Sequence, residues 1–191
     1  ETNQYRDMII KGGFLTMGTK RVGLARLEAL MENLKREIQL NQATLVGQKV
    51  RVKASGGGTT VLTAADSGCI CLFDTAATSQ FTLPAPAAGL EFTFVTTILA
   101  TADHVITVNT ANTDGFLGGV VSTSTTAAKA DSFFADTDGS NDFITLDGAT
   151  TGGSPGTRIH VVAIDTENWA VDGQVACVGS STATPFGDAQ L

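Results

Sequence analysis

Hydrophobic positions along the chain follow two different periods. Between Lys20 and Leu40, Leu24, Leu27, Met31, Leu34 and Ile38 recur at spacings of three, four, three and four. That is the a/d seam of two heptads, and it predicts an amphipathic α-helix with Thr19 as its N-cap and Asn41 near its end. No proline interrupts the stretch, and Gly23 is its only glycine. Two heptads are too short to be stable as a coiled coil alone. The stripe therefore needs a cover, which can be the chain's own body, sister helices in an oligomer, or a partner.

From Gly47 the period drops to two. Lys49-Val50-Arg51-Val52-Lys53 alternates as an exposed or edge strand does. Short strand-like runs follow at roughly ten-residue spacing. They are 59–63, 69–73, 80–83, 91–97, 104–109, 118–122, 132–134, 142–146, 158–165, 169–171 and 174–178. Turn residues separate them: Pro84-Ala85-Pro86, Gly152 to Gly156, and the Asp-Gly pairs at 114, 138, 147 and 172. Asp-Gly supplies the positive φ of tight hairpins. No helical pattern lies between the runs, which argues against βαβ units, and no strong internal repeat is visible. The expected fold is mainly β: an antiparallel β-sandwich or jelly-roll-like body preceded by one N-terminal amphipathic α-helix. The expected divisions are a leader or flexible N-terminus at 1–18, a helical arm at 19–46, a β domain at 47–179 and a loosely attached tail at 180–191. Lys11-Gly12-Gly13 just ahead of Met17 suggests a translated ribosome-binding site, so Met17 is the expected natural start.

Composition supports the second period. Among 191 residues there are 28 Thr and 21 Gly, and only 16% are charged, which suits short strands and turns rather than a helix bundle or a charged disordered chain. Charge then adds a division of its own. Residues 1–53 carry ten Lys/Arg and five Asp/Glu, a net +5, whereas residues 54–191 carry only Lys129 and Arg158 against fourteen acids, a net −12. A basic arm precedes an acidic body. The body's charge disfavours nucleic acid, whose binding needs clustered cations. No apolar run of membrane-spanning length occurs, so no membrane partner is expected.

Candidate chemistry is sparse. Gly152-Gly153-Ser154-Pro155-Gly156 fits the G-x-S-x-G pattern of hydrolase elbows. Pro155, however, has no N–H for an oxyanion hole, and a strand rather than a helix is expected after it. Asp136 to Asp142 gathers three carboxylates and an Asn in seven residues, but its glycine is fourth where a calcium loop of the EF-hand type needs it sixth. An acidic hairpin turn is the plainer reading, with irregular calcium binding as the alternative. His104 and His160 stand outside any zinc spacing, and Cys69 and Cys71, two apart, share a strand face and do not readily bond to each other. With Cys177 they are expected to be reduced and buried. No phosphate-cradling motif is present. The expectation is no enzyme, no catalytic residue, no metal and no cofactor.

Three stretches carry a resemblance. Met17 to Arg26 with Glu32 to Glu37 resembles the short basic N-terminal helix of tailed-phage structural proteins, cyanophages especially. Thr82-Leu83-Pro84-Ala85-Pro86-Ala87-Ala88-Gly89 is similar to a strand-turn-strand segment of phage head and fibre proteins, and Asn168 to Gly173 with Ala183 to Phe186 looks like the closing strands of such a module. The resemblance implies a virion structural protein at the capsid surface, a decoration (cement) protein, commonly trimeric, that binds and stabilises the phage head. Its partner would be the major capsid protein or another virion protein. Leu24, Leu27, Met31, Leu34 and Ile38 would form the assembly face, and Lys20, Arg21, Arg26, Lys35 and Arg36 would meet the acidic capsid. The alternative is a phage fibre, knob or host-recognition module.

Overall fold

The computed structural model describes residues 26–34, 50–109, 113–126, 128–136, 140–179 and 183–188. The chain divides into two units, residues 1–49 and 50–191. Among the described residues the first contains one helix, α1, at residues 26–34, inside the span that the heptad pattern predicts. Thr19 and Asn41, its expected ends, lie outside the described residues.

The second unit is built of β-strands in two mixed sheets. Its first six strands alternate between the sheets. β1 (Val52–Ala54), β3 (Ile70–Phe73) and β5 (Glu91–Thr96) lie side by side in one, while β2 (Gly58–Val61), β4 (Ser79–Thr82) and β6 (His104–Thr107) lie side by side in the other. All four of these pairings are parallel, with Val52 beside Ile70, Ile70 beside Thr93, Gly58 beside Ser79 and Ser79 beside His104. The fully antiparallel body expected from the sequence is therefore corrected. A hairpin returns the chain along its own sheet. Here the link Ser55-Gly56-Gly57, with φ of 59° and 86° at its two glycines, carries the chain into the other sheet instead. Each strand then re-enters its own sheet running the same way, after the long crossover that parallel pairing requires. The same alternation is a structural repeat that the sequence hides, because its links differ in length.

Four more strands complete the larger sheet: β7 (Gly115–Ser124), β8 (Ala130–Phe134), β10 (Arg158–Ala163) and β11 (Asn168–Cys177). They give it the order β1-β3-β5-β10-β11-β7-β8. β9 (Phe143–Leu146) and β12 (Phe186–Gly187) complete the smaller one, β12-β9-β6-β4-β2. Each antiparallel pairing involves one of these later strands, β5 with β10, β10 with β11, β7 with β8, β6 with β9, and β9 with β12, while β7 and β11 pair in parallel.

Two local expectations also change. Asp172-Gly173 does not turn; it lies within β11, joining the two runs read as separate strands. Gly173 is required by close approach, since a Cβ there would sit 2.4 Å from the Arg158 carbonyl oxygen. The segment read as a loose tail is partly tied down, for Phe186 is buried and pairs with Ile144.

Both sheets contribute to one hydrophobic cluster. Phe73 and Phe94 of the larger sheet meet Phe81 of the smaller, with ring centroids 5.2 and 5.6 Å from it. Trp169 packs beside Phe92 at 5.9 Å. Each fully buried side chain of this size contributes about 1.5–3 kcal/mol through removal from water. His104 belongs to this interior. Its ring stacks on Phe73 at 4.6 Å and 6°, and its Nε2 lies 2.8 Å from the Thr75 carbonyl. Burial holds its pKa below the usual imidazole range, against the opposing pull of its backbone partners.

Cys69, Cys71 and Cys177 are buried free thiols. Cys69 and Cys71 lie with sulfurs 3.6 Å apart, and burial first, then the neighbouring Cys69, pushes the Cys71 thiol far up, which keeps it protonated.

Candidate functional site

Alternation along β10 separates two environments within one strand. Ile159, Val161 and Ala163 point into the core; Arg158, His160 and Val162 point outward. Register then fixes their neighbours. His160 lies between Thr93 of β5 and Asp172 of β11, and Arg158 between Val95 and Gln174. These side chains border an open depression of about 470 Å³ on the outer face of the larger sheet. Gly156, at φ 92° in the loop before β10, and Gly173 complete its lining. Neither carries a side chain that would fill it.

The polar groups of this depression are partly engaged. His160 Nδ1 is 3.2 Å from Asp172 Oδ1, and its Nε2 is 3.7 Å from Glu91 Oε2, one strand over. The imidazole thus ties β10 to both flanking strands. Of the two cations among residues 54–191, Lys129 is paired with Asp131 at 2.8 Å. Arg158 makes no side-chain hydrogen bond or ion pair among the described residues. Its guanidinium is exposed, with five donors free, on a body whose net charge is strongly negative. The sequence places both histidines outside any zinc spacing and does not single out this group. The available signal was Arg158-x-His160 on one predicted strand, with Asp172-x-Gln174 close behind. A strand's period of two puts each pair on one face, but only register shows that the two pairs meet.

The other sequence-derived candidates fall as follows. Leu27, Met31 and Leu34 lie on α1 and are 56–64% exposed, as is Leu30, which widens the stripe. Arg26 is the first described residue of that helix and is exposed. Leu24, Ile38, Lys20, Arg21, Lys35 and Arg36 lie outside the described residues. In the Asp136–Asp142 loop, residues 137–139 also lie outside them. Of the rest, Asn141 Oδ1 accepts the Asp136 N–H at 2.7 Å, the Ser140 hydroxyl donates to Asp136 Oδ2 at 3.4 Å, and Asp142 is buried. Among the described residues no group of three His, Cys, Asp or Glu side chains is placed to hold a metal ion. Ser154 of the G-x-S-x-G loop is buried, its N–H donating to the Ala176 carbonyl, and the strand β10 follows within four residues. No described helix is long and apolar enough to cross a membrane. No protein-family model matches the chain, and no curated protein sequence matches it.

Proposed function

We infer that the protein is a non-enzymatic structural component of a phage virion, a capsid decoration or cement protein that acts as a homotrimer at the capsid surface. In this reading the two sheets pack face to face as a jelly-roll-like sandwich. The single observation that supports it is the helix stripe: four large apolar side chains on a nine-residue helical stretch, all more than half exposed. Large apolar residues in such a row are stable in water only when something covers them. Threefold packing of α1 supplies the cover, and multivalent attachment to a lattice turns weak contacts into stable binding. The body contributes an acidic, mostly polar surface suited to contact rather than chemistry.

Light scattering on the purified chain tests the assembly. A trimer that falls to monomer on Leu27→Glu with Met31→Glu, while the β body keeps its melting transition, is the expected result. A monomeric parent chain removes the proposal. Charge reversal at Arg21 and Arg26 is expected to lower occupancy on capsids, and unchanged occupancy counts against docking through the arm.

The second reading, a fibre, knob or host-recognition module, is favoured by the polar depression around Arg158. High copy number per particle supports decoration, and low copy number supports the fibre.

A further inference from the structure

We propose that the depression on the outer face of β5, β10 and β11 binds a carboxylate-bearing saccharide, with Arg158 on the carboxylate and Asp172, Gln174 and Thr93 on the hydroxyls. Three observations select this ligand class. The first is the unpaired guanidinium of Arg158 at the rim of a recess of about 470 Å³, within the size range of small-molecule sites. A planar fork of donors matches a carboxylate bidentately.

The second is the chemistry of the other lining groups. Gln174 offers an amide donor and acceptor, Thr93 a hydroxyl and Asp172 a carboxylate acceptor, all from adjacent strands in register. Alternating donors and acceptors suit a polyol. Asp172 is also held in place, its Oδ1 lying 3.2 Å from His160 Nδ1, so that oxygen does not have to be ordered on binding.

The third is charge. Two carboxylates, Asp172 and Glu91, flank the His160 imidazole beside the single guanidinium of Arg158. A dianion such as phosphate is repelled there. A monoanion that brings several hydroxyls loses less to repulsion and donates hydrogen bonds to the same carboxylates. Lacking an aromatic platform, the site is expected to bind weakly, in the range of about 1 mM.

This inference does not rest on the virion placement, because a decorating protein and a fibre module are equally able to carry such a site. The test uses the full chain labelled with nitrogen-15. Glucuronate, N-acetylneuraminate, glucose and inorganic phosphate are each titrated to about 10 mM, tenfold above the expected dissociation constant. Saturable amide shifts confined to β5, β10, β11 and the Gly156 loop with either acidic sugar are expected, with glucose at least tenfold weaker and phosphate without effect. Arg158→Ala is expected to abolish the shifts, and Arg158→Lys to weaken them by losing the fork, both without moving the melting temperature. Gln174→Ala, expected to weaken binding severalfold, serves if the arginine variants fold poorly. Absence of shifts with both acidic sugars, shifts unchanged in Arg158→Ala, or phosphate binding as tightly as the sugars overturns the proposal.

Discussion

The two faces of the larger sheet are made by the same strands and differ in almost every physical respect. On the inner face Phe92, Phe94, Ile159, Val161 and Trp169 are at most 1% exposed and pack as one cluster. On the outer face the residues between them, Thr93, Arg158, His160 and Asp172, meet water and one another. Half-buried Ile70, Leu72, Val95 and Val162 and exposed Val121 and Phe134 are among the apolar exceptions there. Stability is thus concentrated on alternate residues, and the intervening positions are free to carry recognition.

The largest break in this comparison comes from the inner face. Phe94 is buried and touches the rings of Phe73 and Phe81, so it joins the two sheets. Phe94→Ala is expected to destabilise the body by about 3–5 kcal/mol, through lost transfer energy and the cavity left behind. Denaturant titration measures it, and a loss below about 1 kcal/mol would show that the cluster is not the source of stability.

How far this pattern was legible follows from what fixes it. Strand existence was readable because alternation is a local property, and Arg158 to Ala163 reads as a strand from its own residues. Direction was not. The sequence of Gly56-Gly57-Gly58 says that the chain bends, but whether it bends back into its own sheet or across to the other depends on tertiary packing. Asp172-Gly173 misled for a related reason: glycine marks both turns and close approaches, and only the Arg158 carbonyl beside Gly173 distinguishes them. The depression around Arg158 depends on the pairing of β5, β10 and β11, residues up to about eighty apart, and so lay beyond local reading. The helix was legible from its stripe, whose period is as local a property as a strand's alternation.

A polar group outside both faces sharpens the comparison at intermediate size. Asp147 heads the turn after β9. Partial burial alone would raise its pKa. The Thr150 hydroxyl and the N–H groups of Thr151, Thr150 and Ala149 outweigh that and hold it down at about 2. Because the folded pKa lies below the unfolded value, the stabilisation is complete above about pH 4 and disappears as pH falls toward 2. Solvent screening of this partly exposed group leaves about 1 kcal/mol. Asp147→Asn is expected to lower stability by that amount at pH 7 and to flatten the acid limb between pH 4 and 2. An unchanged pH profile would show that polar turn contacts do not stabilise the body measurably.

The smallest expected effect tests the comparison most closely, because it sets two consecutive residues against each other. Arg158 and Ile159 share a strand, and their backbones take part in the same pairings with β5 and β11. Ile159 is fully buried, and Arg158 is exposed without a side-chain partner among the described residues. Ile159→Ala is expected to cost about 2–5 kcal/mol, while Arg158→Ala should stay within about 0.5 kcal/mol of the parent. Removing the cation should make the body still more acidic without changing its fold. A large loss at Arg158 would mean that its aliphatic stem supports the sheet by packing over the outer face. The same face would then be serving stability as well as recognition, and the division between alternating residues would fail at the position where it matters most for binding.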